Sequence, residues 1–172
     1  MANNRLAVGI DSGGHRQGIA SGRCNGPLET WIALTANPTS YDEFRTRLLQ
    51  CARTVQLLES IKTANKRPLV CIEKPHHQWS AETSRSPVDL SVTYWLQLLR
   101  SYRSDLEPRL VIAEVWQRRI AKSMATEERT GISPCKTSRA YCLKRLGLAV
   151  NKDLADAICI RAYGLNLITP AT

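Results

Sequence analysis

Two short runs, LVCI at residues 69–72 and LVIA at residues 110–113, are apolar at every position. A strand with no polar alternation must be covered on both faces, and such strands belong to parallel sheets flanked by helices. Between the two runs, Ser86-Pro87 marks a helix start, with proline at the first helical position. That helix is expected over residues 87–104. Strand, helix, strand in this order is the crossover that parallel pairing requires. Upstream the pattern differs. Residues 5–11 (RLAVGID) read as a buried strand ending on an acid, and SGGHR reads as a glycine turn. QGIASGR and LETWIAL read as two further strands around Gly26-Pro27, which gives an antiparallel meander of three.

Ser40 is an N-cap, and Glu43 three residues later completes a capping box. Tyr41, Phe44, Leu48, Cys51, Val55, Leu58 and Ile61 follow at helical spacing and predict one continuous helix. The fifth strand reads as RLVIAEV, residues 109–115. A short helix follows at 117–124, then a polar loop, ATEERTGISP. Ser133-Pro134 opens another helix that Gly147 stops. A last helix begins near Lys152 and ends by Gly164 or shortly after. The order βββαβαβ(α)αα predicts an α/β fold: a mixed five-stranded sheet, three strands antiparallel and then parallel strands, with helices on both faces. At 172 residues the chain suits a single domain, residues 1–172.

The chain carries 24 Lys+Arg against 15 Asp+Glu, a formal charge of +9. That excess favours a polyanionic partner such as nucleic acid, although a merely basic, soluble protein has the same footprint. None of the six cysteines forms a C-x-x-C pair, and the three histidines have no zinc-finger spacing. Reduced thiols in a cytoplasmic or organellar compartment are expected, not secretion. The first apolar run, LAVGI, is too short for a signal segment, and no window approaches the roughly 20 apolar residues of a membrane span.

Four acids stand at element ends: Asp11, Glu73, and the pair Asp153 and Asp156 in NKDLADAICIRAYG. If the first and fourth strands are parallel neighbours, their C-terminal ends set Asp11 beside Glu73. Residues three apart share a helix face, so Asp153 and Asp156 look at one spot. Several carboxylates packed together cannot all stay ionised without cations. Oxygen donors with few histidines select Mg²⁺ or Mn²⁺. Two such ions about 4 Å apart can activate water and stabilise a leaving oxygen in phosphodiester cleavage. Each acid also has a plainer reading. Asp153 suits a helix cap or the macrodipole, and Asp11 suits a turn. Asp156 has apolar neighbours on both sides, and Glu is not a favoured turn residue.

VGIDSGG…GIA, VCIEKP and KDLADAICIRAYG resemble the three acidic motifs of the RuvC-like Holliday junction resolvases, in the ribonuclease H-like superfamily. The resemblance runs over residues 6–165. IEKPHHQ, EVWQRRI and ICIRAYG look closest to the phage-type and chloroplast-type branches. It implies that Asp11, Glu73, Asp153 and Asp156 are catalytic residues that hold two Mg²⁺, with Mn²⁺ able to substitute. It also implies a homodimer that nicks opposed strands of a four-way DNA junction. The family's dimer contact falls on the helix at 87–104, whose Leu90, Val92, Tyr94, Trp95, Leu96, Leu98 and Leu99 surround more of it than one core face needs. Burial within one subunit is the alternative.

The resemblance further places basic residues near Arg119 and Lys136, with Arg118 and Arg139 beside them. All four suit either stabilising charge on the cleaved phosphate or backbone contacts, with Lys136 counted among the catalytic residues; a charged surface is the plainer reading of each. Many bacterial members carry proline after the first Asp, where this chain has Ser12. Some stack an aromatic on junction bases just after the fourth-strand acid. Here that loop reads Pro75-His76-His77-Gln78-Trp79, so His76, His77 or Trp79 is the stacking candidate. The histidines as metal ligands are a weaker alternative, because imidazole favours softer ions. Ribonuclease H or exonuclease activity fits less well, since Glu43 is already used as a cap. A junction-binding protein without catalysis is a third reading. A kinase-like or ATPase reading of GIDSGG lacks a second lobe and a Walker A motif.

Overall fold

The computed structural model describes residues 5–24, 26–74, 86–124 and 137–168. Five strands form one sheet in the order β3-β2-β1-β4-β5. They are β1 (Leu6–Ser12), β2 (Arg16–Arg23), β3 (Glu29–Leu34), β4 (Leu69–Lys74) and β5 (Arg109–Ile112). The first three pair antiparallel, and β4 then runs parallel to both β1 and β5. The mixed sheet read from the two apolar runs is the one observed.

Alternation along the strands sorts the residues onto two faces. On one face Val8, Ile10, Ile19, Trp31 and Ile72 pack under α1 (Tyr41–Leu49), α2 (Ala52–Thr63) and α3 (Pro87–Tyr102), against Phe44, Leu58 and Trp95. On the other face Ala20, Cys71 and Val111 pack under α4 (Ala113–Ser123), α5 (Thr137–Leu146) and α6 (Lys152–Gly164), against Trp116, Cys142 and Ile158. The five cysteines among the described residues are free thiols. No helix of the described residues is long and apolar enough to cross a membrane.

Four local features depart from the sequence expectation. The single helix expected past Tyr41 is two. Cys51 is extended (φ −85°, ψ 108°) and breaks it. The break rotates the buried stripe onto Thr54, Leu57, Leu58 and Ile61, leaving Val55 at the margin. Only then can Thr54 Oγ1 accept the buried Trp31 Nε1–H, at 3.0 Å. The capping box is also shifted. Ser40 Oγ accepts from the Glu43 N–H, but the Glu43 carboxylate accepts from Thr39 rather than Ser40. The fifth strand is shorter than RLVIAEV. Its ladder ends where Lys74 pairs with Ile112, and Ala113 starts α4 so that Trp116 and Ile120 reach the core. Finally, Val92, Trp95, Leu98 and Leu99 on α3 are consumed inside this chain, with Leu90, Tyr94 and Leu96 half-buried.

Two polar ties fix what carries the acids. The buried Gln17 on β2 accepts from Trp95 Nε1 at 2.9 Å and donates to Thr35 Oγ1 at 2.9 Å, joining α3 to the sheet. Arg161 on α6 donates to Ala7 O at 3.1 Å and to Gly22 O and Arg23 O at 3.0 Å each. It thereby satisfies backbone carbonyls of β1 and β2 and locks α6 across them.

Candidate active site

The β1–β4 ladder runs to Ile10 opposite Ile72. The next residue on each strand is an acid, Asp11 and Glu73, so the two stand level at the C-terminal edge. Asp11 lies on the face of Gly9, and Glu73 on the face of Cys71. Both therefore point toward α6.

That helix approaches the sheet unusually closely. A Cβ at Gly9 would overlap the Ala157 carbonyl oxygen and come within 2.6 Å of the Arg161 nitrogen. A Cβ at Gly18 would overlap the Asp153 carbonyl oxygen. The glycines let α6 lie with its backbone against β1 and β2, which brings its first turns over the acidic edge.

Asn151 is the N-cap, its side chain accepting the Leu154 N–H at 3.0 Å. Asp153 is thus not the cap, although in the first turn it still complements the helix macrodipole. Asp156 is 4% exposed, as its apolar neighbours suggested. Its Oδ2 accepts from Lys152 Nζ at 2.7 Å. Glu73 Oε2 accepts from Trp116 Nε1 at 3.1 Å.

The carboxylates feel one another. Burial, then the charges of Glu73 and Asp156, push Asp11 up to about 8; Asp153 adds to the rise and Lys152 opposes it. Burial and Asp156 push Glu73 up to about 7, against the Trp116 hydrogen bond and Lys152. A cation placed among them would offset the cost of burial and the repulsion and favour the ionised forms.

A pH dependence follows for the metal-free protein. From an ordinary 3.8 for Asp11 and 4.5 for Glu73, both rise on folding. Between those values and about 8 the folded state binds more protons than the unfolded chain. Stability therefore falls as pH rises through this window. Glu43 and Asp105, whose pKa values are lowered, titrate below it. Urea midpoints in chelator should drop steadily from pH 5 to pH 8, and a flat profile would contradict the crowded acids.

The donor chemistry suits a hard divalent ion: four carboxylates, two of them driven toward protonation by burial and then by their acidic neighbours. Among the described residues, no three His, Cys, Asp or Glu side chains converge tightly enough to hold an ion as they stand.

The described basic candidates lie on α4 and α5, on the same face of the sheet as α6. Arg118 is exposed on α4, 3.9 Å from Glu114. Arg119 donates to Ile168 O at 3.3 Å and lies over the Tyr163 ring, so it helps hold the segment after α6. Arg139 is exposed on α5. His76, His77, Trp79 and Lys136 lie outside the described residues, as do the polar loop at 125–134 and the Ser133-Pro134 helix start.

Sequence reasoning missed two residues of the site. Trp116 was visible only as an aromatic in EVWQRRI. Lys152 had a readable signal, because it precedes Asp156 by four positions and shares its helix face.

No family model matches the chain, and no curated protein matches it in sequence. Among solved structures it is similar to the RuvC structure of Thermus thermophilus, with a TM-score of 0.58 and 15% identity over 96% of this chain and 99% of that one. It is also similar to T. thermophilus RuvC in complex with Holliday junction substrate, with a TM-score of 0.58 and 17% identity over 96% and 98% of the two chains. Identity that low speaks for the fold alone, and the fold of this chain is that of RuvC, a ribonuclease H-like mixed sheet matched over nearly its whole length.

Proposed function

We propose that this protein is a metal-dependent, structure-specific DNA endonuclease that resolves four-way junctions by paired nicks. The observation that carries the reading is Asp11 and Glu73 standing level at the C-terminal edge of β1 and β4, with Asp156 and Asp153 on α6 close enough to act on Asp11. The RuvC fold and the +9 charge support it.

Asp11, Glu73, Asp153 and Asp156 would hold two Mg²⁺, or Mn²⁺ in their place. When bound, such ions supply an activated water and neutralise the departing 3′-oxygen, which yields a 5′-phosphate and a 3′-hydroxyl. The chain's own part is placement. Trp116 fixes one oxygen of Glu73. Arg161 and the glycine contacts clamp α6, so its two acids stay aimed at Asp11. Arg118, Arg119, Lys136 and Arg139 would contact the DNA backbone, and Lys136 would also stabilise charge on the cleaved phosphate. His76, His77 or Trp79 would stack on an unpaired base. A homodimer would present two sites to opposed strands. The half-covered Leu90, Tyr94 and Leu96 leave apolar surface on α3 for that contact.

Incubation with Mg²⁺ and a mobile four-way junction, beside linear duplex and an RNA–DNA hybrid, is the test. Symmetric nicks on the junction alone are expected. Cleavage of the hybrid with none on the junction would replace this reading with a ribonuclease H-type one. A non-catalytic junction binder is favoured by one observation, the lysine already seated on Asp156. Tight junction binding with no nick in any metal would select it.

A further inference from the structure

Lys152 is the first residue of α6. A cation there opposes the helix macrodipole. Lysine four residues before an acid is also the weaker order for such a pair. Helix energetics therefore give no reason for a lysine at this position, and its partner does. Nζ lies 2.7 Å from Asp156 Oδ2, with the lysine side chain 56% exposed and the aspartate side chain 6% exposed. The pair is asymmetric. Asp156 is fixed on the buried face of α6, whereas Lys152 reaches it from solvent and can leave. Its charge also opposes the repulsion felt at Asp11 and Glu73. It occupies a carboxylate oxygen that the ligand set needs.

We propose that Lys152 is a positioning residue that stands in for the divalent ion, holding Asp156 in the metal-free protein and releasing it when an ion enters. This rests on the nuclease reading above. Loading is then an exchange of cations. The metal-free chain keeps its buried acid paired, because a buried carboxylate stripped of its partner is costly. Metal affinity is correspondingly set by competition with the lysine, and the protein fills only when the free ion is abundant enough to displace it.

The test uses the full chain, with Mn²⁺ as the probe, followed by calorimetric titration and by thermal melting in chelator and in saturating Mn²⁺. The Lys152→Gln variant should bind Mn²⁺ about tenfold more tightly, the strength expected of one charged hydrogen bond. It should melt lower in chelator and recover the wild-type melting temperature in saturating Mn²⁺. Lys152→Arg should keep wild-type behaviour in both. If Lys152→Gln fails to fold in chelator, folding on addition of Mn²⁺ is expected, and failure to fold even then overturns the proposal. A Lys152→Gln protein with wild-type Mn²⁺ affinity overturns it. So does equal destabilisation with and without Mn²⁺, which is what a merely structural lysine would give. Asp11→Asn separates the two levels. Where it abolishes Mn²⁺ binding and Lys152→Gln has no effect, only the lysine's role falls. Where Mn²⁺ binding ignores Asp11→Asn, the ligand set falls and both readings go with it.

Discussion

Asp11→Asn and Glu73→Gln should each cut junction nicking by on the order of a thousandfold. Each removes an anionic oxygen at the point where the β1 and β4 carboxylates stand level. Junction affinity in chelator should stay the same or tighten, because a negative charge facing DNA is lost. Metal-free stability at pH 8 should rise in both variants. Burial and neighbouring charge already disfavour the ionised form of each acid, and a neutral amide is spared that cost. Three independent readouts thus move in different directions: activity down, binding level or up, stability up. Single-turnover nicking, gel shifts in chelator and urea midpoints measure them. A variant of full activity would remove its residue from the site. Asp156→Asn should cost at least as much activity as Asp153→Asn. Asp156 is the more deeply buried of the two and carries the ion pair with Lys152, so its carboxylate is the harder to replace.

Glu73 and Asp156 were legible because each interrupts a pattern that has no local use for it, whereas Asp11 and Asp153 stood out only in their company. Glu73 ends a continuous apolar strand, and Asp156 sits inside a helix that is otherwise buried from Ala155 to Ala162. The sheet was legible for a related reason, since unbroken apolar runs and a proline-led helix leave few ways to connect. The features that escaped depend on contacts far away in the chain. The break at Cys51 answers to the indole of Trp31, and nothing within the helix itself predicts it. The hydrogen bond from Trp116 to Glu73 spans 43 positions. Lys152 was legible in principle, but charge periodicity on one helix turn says nothing about how deeply the partner is buried. The short fifth strand misled because Ala113 extends the apolar run and Val115 beyond Glu114 keeps a strand-like alternation, and only the end of the β4 ladder decides where the helix starts.

Gly9→Ala should be the most damaging single methyl in the protein's sheet. The residue sits mid-strand on β1, two positions before Asp11, on the face that α6 covers. Its new Cβ would overlap the Ala157 carbonyl oxygen, a backbone atom, and come within 2.8 Å of Arg161 Cβ. Neither neighbour can rotate away, so the helix itself must lift. Overpacking of this kind costs about 3 kcal/mol. Lifting α6 also strains the bonds from Arg161 to Ala7, Gly22 and Arg23, and it carries Asp153 and Asp156 away from Asp11. A displacement of even about 1 Å at reacting groups reduces rate on the order of a hundredfold. Nicking should therefore collapse at temperatures where the variant is still folded, in contrast with a purely destabilising change. Gly147→Ala is the control. Gly147 has φ +67°, and a Cβ there would meet nothing within 4 Å, so alanine faces backbone strain alone. It should cost about 1 kcal/mol and leave nicking intact. Urea midpoints and single-turnover nicking of the two variants, side by side, separate a helix pushed off the site from a fold made weaker. Equal activity in both would mean that the close seat of α6 on β1 does not aim the carboxylates.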